Sequence, residues 1–96
     1  MSYPLQPASV VLSKAGRDAG RHFAVLKAED NFALIADGKL RPAERPKRKK
    51  RMHLHVTPHV LPEIAELLVN GQTVENHHLR KALKAWETRE QTPRAD

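Results

Sequence analysis

The chain has 96 residues, no cysteine, and a formal net charge of +6 at neutral pH. That length makes one domain, or a small domain with an appendage, and leaves little stability to spare for a large catalytic cavity. Without cysteine there is neither a disulfide framework nor a thiolate zinc site. The longest apolar runs are four or five residues, too short to span a bilayer, and the opening Met-Ser-Tyr-Pro-Leu-Gln-Pro has no secretory pattern. The expectation is a soluble, cytoplasmic protein with no membrane partner.

The first half reads as β. After an N-terminal arm (1–7), the run Ala8 to Ser13 is β-branched and closes on a Gly-containing segment. Arg21 to Lys27 alternates with Phe23 and Val25 on one face, and Phe32 to Asp37 follows the turn residues Glu29-Asp30-Asn31. Between the first two strands, Ser13 to Arg21 holds Gly16 and Gly20 among Lys14, Arg17 and Arg21. Two glycines and three cations suggest a tight turn that brings backbone close to a phosphate. A nucleotide-binding P-loop is excluded: the glycine spacing is one short, no Lys-Ser/Thr pair follows, and a strand stands where a helix is needed.

From Lys39 to Arg51 there are eight basic residues against one acidic, a charge of +7, while the rest of the chain sums to −1. The basicity is local. Pro42 and Pro46 cannot extend a ladder or a helix interior, and uncompensated charges resist burial, so 39–51 is expected as an exposed loop. A concentrated cationic segment gains free energy from a polyphosphate by releasing condensed counterions. Solvated loops and nuclear import signals use the same composition. Only four aromatics occur, Tyr3, Phe23, Phe32 and Trp86. With Phe23 and Phe32 inside apolar runs and read as core, the composition favours phosphate and shape contacts over base stacking.

Arg51 to Val56 reads as a fourth strand, with Met52, Leu54 and Val56 on one face. The other face then carries His53 and His55 toward solvent or RNA. A zinc site with His59 is the weaker alternative, and no metal is assigned. The second half reads as α. Leu61, Ile64, Ala65, Leu67 and Leu68 recur at helical spacing, with Pro62 in the first turn and Gly71 as the stop. A second helix over 76–88 stripes Leu79, Ala82, Leu83 and Trp86 on one side, opposite Arg80, Lys81 and Lys84. That basic side is an ordinary solvated surface or an extension of a nucleic-acid footprint. His77 and His78 receive no role. A polar tail occupies 91–96. Strands followed by helices suggest a small β-barrel (8–57) with a two-helix appendage (58–90).

The segment from Val10 to Leu26, Val-Val-Leu-Ser-Lys-Ala-Gly-Arg-Asp-Ala-Gly-Arg-His-Phe-Ala-Val-Leu, resembles the KOW motif, with Gly20 where that motif's glycine stands. Followed by Phe32-Ala-Leu-Ile-Ala-Asp-Gly, a basic segment and a fourth strand, it resembles bacterial KOW-domain proteins similar to the fourteen-e family of large-subunit ribosomal proteins. The likeness covers about residues 7 to 56, and extends more loosely through Asn70-Gly71 and Leu79-Arg80-Lys81-Ala82-Leu83. It implies an SH3-like barrel that binds RNA in ribosomes or in the transcription and translation machinery, with Lys14, Arg17 and Arg21 as contacts. One departure is that Glu75 and His78 stand where a capping box is expected, leaving Thr73 or Asn76 as the cap.

The expected RNA-binding residues are therefore Lys14, Arg17, Arg21, Lys39, Arg41, Arg45, Lys47, Arg48, Lys49, Lys50, Arg51 and His53. The partner is RNA, with structured ribosomal RNA foremost, and the basic loop orders on contact. A KOW module docking on a ribosomal, transcription or translation protein is the alternative, and nonspecific DNA binding is a third. No cofactor is implied. Ser2, Ser9 and Ser13 lie in no nucleophile turn and the carboxylates show no acid–base pairing, so an enzyme is not expected. Oligomeric state is not legible.

Overall fold

The structure, a computed structural model, describes residues 3–91, so the expected tail lies outside it apart from Gln91. Strands β1 (Ser9–Ser13), β2 (His22–Ala28), β3 (Phe32–Ala36), β4 (Lys47–Lys50) and β5 (Leu54–Val60) precede helices α1 (Pro62–Val69) and α2 (Asn76–Gln91). All pairings are antiparallel, in the order β4-β3-β2-β1-β5. No pairing joins β4 to β5, so the sheet is open and these two strands are its edges. No helix among the described residues is long and apolar enough to cross a membrane.

Alternation along the inner strands buries two opposite faces. Val10, Ala24 and Ala36 on one side pack with Leu61 and Ile64 of the α1 turn and with Leu79, Ala82, Leu83 and Trp86 of α2. The expected helical stripe is therefore the cover of the sheet. On the other side Val11, Phe23, Val25, Ala33 and Ile35 are fully buried together with Leu54, and neither helix contributes to that cluster.

Helix ends follow the sequence in one case and depart in the other. Gly71, at φ +67°, closes α1, with the Gly71 N–H donating to the Leu68 carbonyl (3.2 Å) and the Gln72 N–H to the Leu67 carbonyl (2.9 Å). Neither Thr73 nor Asn76 caps α2. The Glu75 carbonyl accepts the first helical bonds, and the Glu75 N–H donates to His78 Nδ1 at 3.0 Å. His78 thus supplies the reciprocal half of a capping box that Glu or Gln usually provides.

The basic segment is not one loop. Its last four residues before Arg51 form β4, pairing Phe32 with Lys50, Ala33 with Lys49, Leu34 with Arg48 and Ile35 with Lys47. Both prolines lie upstream of the strand, so no ladder bond is lost. An edge strand leaves three of the four cations in water, and only Lys49 is buried.

The fourth strand expected over 51–56 is replaced by a 3-10 turn, Arg51–His53, and then β5. The turn breaks the alternation, so Met52, expected on the core face, is 71% exposed while Leu54 is buried. β5 runs through Pro58 because it is an edge with a register shift: Ser9 pairs with Val60 and Val11 with Val56. Within that bulge the Thr57 hydroxyl donates to the Val10 carbonyl at 2.7 Å.

Candidate nucleic-acid interface

The cations expected to contact RNA fall into two groups, those tied to partners within the fold and those left facing solvent. Asp18, in a 3-10 turn (Gly16–Asp18) between β1 and β2, is 1% exposed. It accepts from Arg41 Nε at 3.3 Å and Nη2 at 3.0 Å, and Lys49 Nζ lies 3.8 Å away. Lys49 also donates to the Ala15 carbonyl at 2.8 Å. A carboxylate this buried needs paired charge and hydrogen bonds, and these two cations supply both. Asp18 thus joins the Gly-rich turn, the segment before β4, and β4 itself.

Asp37 organises the turn after β3. One carboxylate oxygen accepts from the Lys39 and Arg41 N–H groups, each at 2.9 Å, and the other lies 3.5 Å from Arg21 Nη2. Gly38, at φ +79°, sits so close to α2 that a Cβ there would overlap the Asn76 carbonyl oxygen, and its own carbonyl accepts from Arg80 Nη1 at 2.9 Å. Asn76 Oδ1 in turn accepts from the Ala43 N–H at 2.7 Å. The start of the basic segment is therefore fastened to the N-terminus of α2.

Arg48 makes a third attachment, this one at the surface, with its side chain 56% exposed. Its guanidinium lies 3.5 Å above the Phe32 ring centroid, and Nε is 3.6 Å from a Glu29 carboxylate oxygen. Phe32 is half-buried and belongs to neither core cluster, in contrast to Phe23, which is fully buried. The expectation that both phenylalanines are core holds for Phe23 only.

Lys14, Arg17, Lys39, Arg45, Lys47 and Lys50 are exposed, and Arg51 and His53 half-buried. Two grooves collect several of them. One, of about 740 Å³, is lined by Tyr3, Lys14, Phe32, Lys50, Arg51 and Met52 among others. The second, of about 910 Å³, lies between the Gly-rich turn and α2 and includes Arg21, Lys39, Arg80, Lys81 and Lys84. Lys14 and Arg21, expected to act together, line different grooves. The basic face of α2 and the Gly-rich turn, read separately from the sequence, share one.

The sequence reading missed Asp18, whose partners lie 23 and 31 positions away, and the surface role of Phe32. His53, His55 and His59 do not gather as ligands. Among the described residues the one grouping of three is Glu75, His77 and His78, with ligand atoms within 4.8 Å of one another. There His78 Nδ1 already accepts the Glu75 N–H, and the positive end of the helix opposes a cation. His59 and His22 instead meet the Trp86 ring edge-on, with centroids 5.4 and 4.8 Å away.

No protein-family model matches the chain, and no curated protein matches it.

Proposed function

We propose that this protein binds RNA, with structured ribosomal RNA foremost, through cations held in place by an SH3-like, KOW-type barrel. The observation that carries the reading is the division of labour within 39–51. Arg41, Arg48 and Lys49 fasten the segment to Asp18, Glu29 and Phe32. Lys39, Arg45, Lys47 and Lys50 are left facing water, the last two on a strand paired with β3. Cations positioned before contact lose less conformational entropy on binding than those of a loop that must order on contact. Full burial of Val11, Phe23, Val25, Ala33 and Ile35 without a helix over them supports a sheet curled on itself in the barrel manner.

Phosphate contacts by these residues carry no base preference and position the RNA by its backbone. The groove beside α2 extends the cationic surface through Arg80, Lys81 and Lys84. An edge strand of four consecutive cations also discourages strand addition by another chain, but that use explains neither the cations of α2 nor those of the Gly-rich turn.

In-cell crosslinking, with sequencing of the attached RNA and mapping of the crosslinked peptides, tests the assignment. Crosslinks from 39–51 to one region of large-subunit ribosomal RNA are the expected result. Scattered RNA without an enriched region, together with ribosome association that survives neutralisation of the exposed cations, would instead favour a protein-docking module.

A further inference from the structure

We propose that the groove beside β4 accepts an unpaired nucleobase, so that the protein selects single-stranded nucleotides within or next to a folded RNA. The inference rests on the RNA-binding reading and adds to it a stacking subsite that the scarcity of aromatics argued against.

The groove's volume, about 740 Å³, lies within the range of roughly 300–1,000 Å³ typical of small-molecule sites. Its apolar lining includes Tyr3 and Met52, 45% and 71% exposed. Large apolar side chains left in water gain free energy when a flat, weakly polar surface covers them. Phe32 adds an aromatic wall, its ring backed by the Arg48 guanidinium, so its orientation is set before any ligand arrives.

Charge decides what kind of flat surface fits. Lys14, Lys50 and Arg51 line the groove, and among the described residues no carboxylate does. An apolar floor with a cationic rim matches a nucleotide, whose base is flat and whose phosphate is anionic. Asn31 is also a lining residue, and an asparagine amide carries both a donor and an acceptor of the kind a base edge needs. Two backbone hydrogen bonds hold the lining segments together: Arg51 N–H to the Asn31 carbonyl at 2.8 Å, and Lys14 N–H to the His53 carbonyl at 2.9 Å. A duplex keeps its bases stacked inside, so only a splayed or unpaired base can enter such a site.

The test uses the full chain, a fluorescein-labelled 12-nucleotide single-stranded RNA and a blunt duplex RNA of the same length. Fluorescence anisotropy is read for the wild type, for the double variant Tyr3→Ala, Met52→Ala, and for Lys50→Ala, Arg51→Ala. Both residues of the first variant are exposed, so its thermal melt should match the wild type. The expected result is an affinity loss of about tenfold for the single strand, with duplex binding unchanged. Equal loss on both RNAs, or no loss on the single strand, overturns the base site. If the single strand is unaffected while the Lys50, Arg51 variant weakens both RNAs, phosphate binding stands and the base site falls. If neither RNA binds the wild type, both readings fall. NMR shifts at the Met52 methyl with an acidic peptide but not with RNA would assign the groove to a protein partner and also overturn the proposal.

Discussion

The Arg41 guanidinium donates to both carboxylate oxygens of Asp18, a residue 1% exposed, and so fixes the path of the basic segment from within the fold. Lys49 reaches the same carboxylate from β4. Replacing Asp18 by Asn leaves two cations without their counter-ion, one of them buried. Removing one partner of a buried pair costs about 3–5 kcal/mol. For a chain of this size the melting temperature of Asp18→Asn should fall by at least about 10 °C. Urea unfolding and a thermal melt check this, and a loss below about 1 kcal/mol would show that the pair is not holding the segment.

Gly38 and Gly20 allow a matched comparison, because both have positive φ but only Gly38 abuts another element. Gly20→Ala should cost about 1–2 kcal/mol from backbone conformation alone. Gly38→Ala should cost clearly more, since the new methyl must displace the Asn76 carbonyl at the start of α2. Chemical denaturation of the two variants measures the difference, and equal losses would contradict the close approach.

Trp86 and the sheet share a core, so the helices should unfold together with the strands. Trp86→Ala should destabilise by about 3–5 kcal/mol, with circular dichroism and sheet-specific NMR signals lost in one transition. Two separate transitions would mark the helices as an independent appendage.

His78 caps α2 through an exposed hydrogen bond to the Glu75 N–H. His78→Ala should cost about 0.5–1 kcal/mol, and His78→Gln less, because an amide oxygen can accept the same bond. Denaturation midpoints at constant m-value read both effects. An identical loss for the two variants would assign the cost to something other than the cap.

The limits of the sequence as a guide follow from these same residues. Phe23 and Val25 alternate and the Leu79, Ala82, Leu83, Trp86 stripe has helical spacing, so one sheet face and the helical cover were legible from periodicity, whereas the burial of Val10, Ala24 and Ala36 on the other sheet face was not. β4 was not, because four consecutive cations carry no apolar alternation. Its strand character comes from pairing with β3, a tertiary effect. Met52 was misplaced for a related reason: one 3-10 turn shifts the alternation, and nothing in Arg51-Met52-His53 announces that turn. The concentration of charge was plain, but its division into anchors and free cations depends on Asp18 and Glu29, whose partners lie far along the chain.

The most direct test of the central claim is the salt dependence of RNA binding, measured for the wild type and for the triple variant Lys47→Ala, Lys50→Ala, Arg51→Ala. With about five phosphates neutralised, log K against log salt on a single strand should have a slope of about −3.5, and the variant should lose about 2 of that slope. A wild-type slope near zero, or a variant slope equal to that of the wild type, would contradict the account.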